Sequence, residues 1–199
     1  MMAGSNGLVD ETISRIPKNT VGVEIGVWRG ETSLKILMNT IPKHLHLVDP
    51  WSLEPYRISN EFNSFEKFLD KYYLIVGTKK EEDFVNYYEK VYRNVCKQLQ
   101  PYPVTVHRVT SDIFFQTFQE PVDWIYIDGD HTYEGVAKDL ENSYKLIKPG
   151  GFIFGDDYNY FNIKDRKQGV TDAVNDFIKK YRLPFVHYNI NQYQIGILK

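Results

Sequence analysis

The chain of 199 residues carries a single cysteine, Cys96. That excludes an internal disulfide and a thiolate metal cage, and it fits a reducing, cytoplasmic setting. Charge of one sign is equally scarce. Lys and Arg number 24 against 26 Asp and Glu, a net charge of −2, too weak a field to argue for nucleic acid or an anionic membrane as partner. No apolar run reaches the roughly 18 residues of a membrane span. The opening MMAGSNGLVDETISRIP lacks the basic start and apolar block of a secretory signal. Internal repeats and low-complexity segments are also missing. Aromatics, by contrast, are plentiful, with 15 Tyr and 12 Phe. They serve either a core or a binding face, and they are compatible with a homodimer interface.

The hydrophobic pattern alternates between two periods. VGVEI at 21–25 is short and β-branched and ends at Gly26, so it reads as a buried strand. Leu34, Leu37, Met38 and Ile41 recur at helical spacing, and HLHLVD at 44–49 forms a second strand. Strand, helix and strand in about 30 residues make a parallel crossover. Residues 51–101 depart from this pattern. Phe84, Tyr88, Val91, Val95 and Leu99 share one helical stripe, and the segment reads as a helical insertion, a substrate lid. The parallel pattern resumes at 103–109 and 123–128. A helix follows, stopping before Pro149, then a strand at 152–155, a helix over 170–181 and a terminal hairpin. One α/β domain results, a Rossmann-like three-layer sandwich with a mostly parallel seven-stranded sheet and an antiparallel C-terminal hairpin.

Such sheets bind ligands beyond the carboxyl ends of their strands. Gly26, Asp49, Asp112, Asp128 and Asp156 all fall just past strand ends, on that edge. EIGVWRG at 24–30 supplies a glycine turn. Gly26 permits a sharp bend and close approach, Gly30 a tight helix start, and Asp49 lies where a carboxylate accepts ribose hydroxyls. A dinucleotide site needs a further glycine two positions after the first; Trp28 stands there, which disfavours a pyrophosphate-bridged coenzyme and a nicotinamide-dependent oxidoreductase. S-adenosylmethionine, a nucleoside with a zwitterionic tail, meets the remaining demand. Glu24 is placed to bond near the tail's ammonium. The plainer alternative is a non-catalytic nucleoside-binding scaffold whose glycines only turn and whose Asp49 only caps.

VGVEIGVWRGETSLKIL, LHLVDPW, DWIYIDGDHTYEGVAKDLENSYKLIKPGGFIFGDDY and GVTDAVNDF together resemble class I S-adenosylmethionine-dependent methyltransferases. The IDGDH block is similar to the small branch related to macrocin-type sugar O-methyltransferases. The resemblance implies cofactor contacts from Glu24, Gly26, Gly30, Asp49 and Asp128. It also implies Trp51 against the adenine, and Ser111 and Asp112 lining the adenine pocket. A sugar or other small hydroxyl compound is the implied acceptor.

Two acidic clusters remain, IDGDH at 127–131 and GDDY at 155–158. On adjacent strands about 4.8 Å apart, Asp128, Asp156 and Asp157 converge. Two like charges at about 4 Å cost roughly 4 kcal/mol at an effective dielectric of 20. Protons, cationic side chains, outward rotation or a bound cation must relieve them; Lys164, Arg166 and Lys167 are near enough in sequence to fold back. An all-oxygen set of Asp128, Asp156 and Asp157 suits Mg²⁺, Mn²⁺ or Ca²⁺. Metal-dependent O-methyltransferases use this arrangement, and a metal-independent enzyme of the same fold is the alternative. Asp130 or His131 is the general base, unless Asp130 caps the following helix. Tyr158, Tyr160 and Phe161 either stack on the acceptor or cover the sheet edge.

Overall fold

A computed structural model describes residues 9–58, 61–62, 64–159, 169–188 and 191–198. Strands β1 (Val21–Ile25), β2 (His44–Val48), β3 (Val104–His107), β4 (Val122–Ile127), β5 (Ile147–Gly155), β6 (Phe185–Tyr188) and β7 (Gln192–Gly196) form one sheet. Their order is β3-β2-β1-β4-β5-β7-β6. The first five pair in parallel, and β7 runs antiparallel to both β5 and β6. This is the mixed seven-stranded Rossmann-like sandwich that the alternating periods predict.

Each face of the sheet has its own core, because strand side chains alternate. Val23 and Ile25 of β1 join Ile125 and Ile127 of β4 beneath helices α6 (Ser111–Thr117), α7 (Tyr133–Leu146) and α8 (Gly169–Tyr181). The opposite face packs Leu45, Leu47, Trp124 and Tyr126 against α1 (Val9–Ser14), α2 (Glu31–Thr40) and α5 (Glu81–Leu99). Gly22 makes room there for the Trp124 indole; a Cβ on it would lie 2.1 Å from the ring.

The 51–101 segment divides in two. Helices α3 (Glu54–Ile58) and α4 (Phe65–Val76) lead to α5 through the turn at Gly77. Phe84, Tyr88, Val91, Val95 and Leu99 are the buried stripe of α5, as their spacing predicts. Five such side chains at about 1.5–3 kcal/mol each are comparable to the whole net stability of a domain. Helix α5 is therefore a structural layer, and most of the segment's border on the cleft comes from the stretch through α3 and Glu61, with Tyr72 of α4 and Tyr88 of α5.

Two elements differ from the sequence expectation. The sequence places a break at Pro149-Gly150-Gly151, yet β5 runs through it. Gly150 N–H donates to Ile197 O at 2.9 Å and Ile197 N–H to Gly151 O at 2.9 Å, so the terminal segment pairs a stretch that looks like a turn. Helix α1 was not expected. It is fixed by buried Ile13 and by Thr12 Oγ1, which donates to Gln192 Oε1 at 2.8 Å, 180 residues away. Tyr160, Phe161, Lys164, Arg166 and Lys167 lie outside the described residues.

The strand order reverses between β1 and β4, so the crevice of a doubly wound sheet opens beyond their carboxyl ends.

Candidate functional site

The crevice begins at Gly26. Its φ is +87°, and a Cβ there would sit 1.9 Å from the Asp128 carbonyl oxygen. The loops after β1 and β4 touch backbone to backbone, which only glycine allows. Two non-glycine residues next to it also hold left-handed backbone, Trp28 at φ 45° and Trp51 at φ 40°. Each costs about 1–2 kcal/mol for an L-residue. Asp49 holds them there: its Oδ2 accepts from Val27 N–H at 3.1 Å and Trp28 N–H at 2.9 Å, and its Oδ1 accepts from Trp51 N–H at 2.7 Å. Trp51 Nε1 completes the clasp by donating to Trp28 O at 2.7 Å.

The local geometry bears on three sequence expectations. Asp49 lines the cleft, but three of a carboxylate's roughly four acceptor sites are taken by backbone, so it has room for about one further hydrogen bond rather than both ribose hydroxyls. Trp51 is 1% exposed and lies beneath the loops, not on the cleft wall where an adenine would stack. Gly30, at φ +76°, faces Val95 of α5, 3.4 Å from where its Cβ would be, and fits helix to helix rather than helix to ligand.

Glu24 is also out of the cleft. It is fully buried, and its Oε2 accepts from Ser33 Oγ at 2.5 Å while Oε1 has no partner among the described residues. Burial raises its carboxyl from 4.5 to about 8, against the lowering effect of the Ser33 hydroxyl and with added repulsion from Asp128 and Asp49. Unfolded, the carboxyl ionises near about 4.3. Between that pH and about 8 the folded chain holds the extra proton, so stability falls as pH rises through the window. Glu24→Gln, which cannot ionise, is expected to melt close to wild type at pH 5 and above it at pH 8.5. Thermal melts at the two pH values decide; a gap that does not widen with pH means the carboxyl is already charged in the fold.

The cleft encloses about 1120 Å³ and runs from the β1 and β2 loops to the IDGDH loop, with Tyr56, Tyr72 and Tyr88 on the side of the 51–101 segment. The acids gather at the IDGDH loop, whose Asp128 backbone also touches the glycine turn. Asp128 is held by its own N–H, which donates to Ile25 O at 2.8 Å. His131 Nε2 lies 3.1 Å from Asp157 Oδ2 and 3.7 Å from Asp128 Oδ1, and its Nδ1 lies 3.5 Å from Glu61 Oε1. Asp157 sits at φ 60°, a strained backbone that aims its carboxylate at the ring. Burial alone would depress the imidazole pKa; hydrogen bonding to Asp128 and Glu61 and the nearby Asp157 charge outweigh it and lift it well above the ordinary histidine value. These carboxylates thus favour the charged form of the imidazole. Asp156 is raised to about 6, by burial first and then by Asp128.

The all-carboxylate trio does not assemble as expected. Asp156 Oδ1 accepts from Asp157 N–H at 2.9 Å. The three side chains whose ligand atoms come within 4.8 Å of one another are Asp128, His131 and Asp157. Asp130 also departs from the base geometry. It is exposed, its Oδ1 accepts from Thr132 N–H at 2.8 Å, and it tightens the turn into α7. The helix cap proper is Thr132, which accepts from Gly135 N–H at 3.1 Å.

Ser111 and Asp112 line the cleft at the start of α6, where Thr110 rather than Ser111 is the cap. Asp112 pairs with Lys138. Two residues escaped the sequence reading. Asp139 is 3% exposed in the cleft wall, raised to about 7 by burial, with the Ser111 hydroxyl bonded to it. Its place two turns inside an ordinary amphipathic helix gives no warning. Glu61 reaches His131 from a segment with no motif.

Residues 23–158 match the family described as a methyltransferase domain. The chain belongs to that family, and its architecture is that of the class I S-adenosylmethionine-dependent methyltransferases. Among solved structures it is similar to a Clostridium thermocellum protein proposed to be an rRNA methylase, at 12% identity and TM-score 0.63, covering 100% of this chain and 98% of that one. It is also similar to the O-methyltransferase TomG of Streptomyces achromogenes, involved in tomaymycin synthesis and solved with S-adenosylmethionine. That likeness has 11% identity and TM-score 0.62, over 100% of this chain and 82% of that one. A curated relative, the uncharacterized protein R132 of Acanthamoeba polyphaga mimivirus, is 36% identical over 62 residues, 31% of this chain and 27% of that protein. Among the described residues no helix is long and apolar enough to cross a membrane.

Proposed function

We propose that this protein transfers a methyl group from S-adenosylmethionine to a hydroxyl of a sugar or other small molecule, with His131 as general base. The observation that carries the reading is the imidazole set among Asp128, Asp157 and Glu61 at the end of a cleft that starts at the glycine loop. The cleft fits the cofactor's chemistry. Gly26 lets the β1 and β4 loops meet at the cleft floor, Asp49 keeps one acceptor site free, and Ser111 and Asp139 offer polar atoms by the β3 loop. Bound there, S-adenosylmethionine supplies an electrophilic sulfonium methyl.

The chain's own work is to orient the acceptor and take its proton. Asp157 Oδ2 lies 3.1 Å from Nε2 and favours a proton there by its charge; the proton from the hydroxyl then passes to Nδ1, the nitrogen on the Glu61 side. The neighbouring carboxylates stabilise the imidazolium that forms, as the acid does in a catalytic triad. A base of this kind favours a hydroxyl over a neutral amine, which carries a free lone pair already. TomG, an O-methyltransferase of the same architecture, supports that choice. Tyr56, Tyr72, Tyr88 and Trp28 provide flat apolar walls for an acceptor ring, with α3 and the stretch to Glu61 as its lid.

A second reading places a divalent cation at Asp128, His131 and Asp157, favoured by the closeness of their ligand atoms. A ring nitrogen in the set points away from Mg²⁺ and toward Mn²⁺ or a later metal. Such an ion supplies Lewis acidity at the acceptor oxygen. Calorimetry with S-adenosylmethionine and S-adenosylhomocysteine tests the proposal: both are expected to bind. Absence of binding to either removes it. Methyl transfer that survives EDTA favours the first reading, and loss restored by Mn²⁺ the second.

A further inference from the structure

We propose that Arg29 receives the carboxylate of the cofactor's methionine tail, an inference that rests on reading the cleft as an S-adenosylmethionine site. The tail is a zwitterion, and its carboxylate calls for a charge-assisted partner, ideally the planar fork of a guanidinium. Among the described residues the cleft walls carry four cationic side chains: Arg29, Arg108, His131 and Lys138. Three are neutralised by acids. Arg108 Nη1 donates to Glu89 Oε2 at 2.8 Å, Lys138 pairs with Asp112, and His131 stands among Asp157, Asp128 and Glu61.

Arg29 differs. No carboxylate among the described residues lies within ion-pair distance of it, Glu31 on the same wall included. It is nevertheless oriented. Its Nε and Nη2 both donate to Tyr87 Oη, at 3.1 and 3.0 Å, and its guanidinium lies 4.4 Å from the centroid of the Trp28 ring. A phenol and an indole fix the plane of the fork without cancelling its charge, leaving Nη1 for an incoming anion. Ordering an arginine side chain in this way costs about 2 kcal/mol of rotamer entropy. Two neutral partners at an exposed site are thin compensation for that, whereas presenting a pre-aimed cation to a ligand accounts for it. The position is also right. Arg29 lies on the loop between Gly26 and α2, and the indole that occupies the pyrophosphate position of a dinucleotide site is the platform beneath it.

The test is a cycle that removes the carboxylate from the ligand and the guanidinium from the protein. S-adenosylmethionine and decarboxylated S-adenosylmethionine, which keeps the ammonium and sulfonium, are titrated by calorimetry into wild type and Arg29→Gln. Wild type is expected to prefer the complete cofactor by about ten- to a hundredfold, the range of a hydrogen-bonded charge. Arg29→Gln is expected to lose that preference while binding the decarboxylated compound as wild type does. A variant that keeps the preference, or that weakens both ligands alike, overturns the assignment, the latter by showing that Arg29 only shapes the Trp28 loop. Wild type that binds neither compound sinks the proposed function and this inference with it. Because Arg29 is exposed, an unchanged melting temperature is expected for the variant.

Discussion

Replacing His131 with glutamine is expected to lower turnover by about a hundred- to ten-thousandfold, the usual range for losing a general base. Affinity for S-adenosylhomocysteine should stay as in wild type, since the ring's nearest side chains are the acids Asp157, Asp128 and Glu61. The pH profile adds a second readout. A base works only unprotonated, and the carboxylates around His131 raise its pKa despite its burial. The acidic limb of the rate profile is therefore expected above the ordinary histidine value of about 6.5. Asp157→Asn removes a carboxylate 3.1 Å from Nε2, so the limb should move toward lower pH. A limb that stays in place in Asp157→Asn, or a glutamine variant with full turnover, removes His131 from the proton transfer.

Gly26→Ala is expected to cost the most stability of any single glycine substitution near the cleft. The new Cβ meets a backbone oxygen at 1.9 Å, and that oxygen cannot retreat. Asp128 N–H is bound to Ile25 O at 2.8 Å, and Gly26 N–H to Val48 O at 2.9 Å, so both sides of the contact are pinned to the sheet. Left-handed strain of about 1–2 kcal/mol and overpacking of about 1–3 kcal/mol add to roughly 2–5 kcal/mol. For a chain of this size that is a fall in melting temperature of about 5–20 °C. Cofactor binding should weaken as well, because the clash displaces two loops that line the cleft. Gly30→Ala is the control. Its φ is equally left-handed, at +76°, but its nearest neighbour is a valine methyl at 3.4 Å. Strain alone predicts about 1–2 kcal/mol, or about 2–8 °C. Equal losses in the two variants would show that the β1–β4 contact is not tight.

The fold was legible because its signals are local. Strand alternation, helical stripes and the glycine at the end of β1 each fix a backbone conformation within a few residues, and the parallel pairing follows from crossover rules. The same locality explains the misses. Pro149-Gly150-Gly151 reads as a turn, and only Ile197, nearly fifty positions later, makes it strand. Asp49 was correctly placed beside the cleft, but its side chain serves the backbone of two loops, a commitment that depends on where Trp28 and Trp51 point. The acidic clusters were rightly brought together across β4 and β5. A cationic candidate within the motif itself, His131, went unweighed, because only the turn of the IDGDH loop brings its ring to 3.7 Å from Asp128 and 3.1 Å from Asp157. Asp139 and Glu61 were invisible because their residue types are unremarkable on a helix or a surface loop; only three-dimensional burial marks them.

The division of the 51–101 segment sets a seam for anyone wishing to alter which compounds the enzyme accepts. Helix α5, at 19 residues, is welded into the second core through its whole stripe and must be kept. The exchangeable cassette is the shorter stretch from Ser52 to the turn before Glu81, whose Tyr56, Tyr72 and Glu61 line the cleft, with Tyr88 of α5 left in place. Chimeras spliced at those two joints should inherit a donor's acceptor preference on an intact scaffold, while grafts that carry α5 along import a foreign hydrophobic face and should misfold.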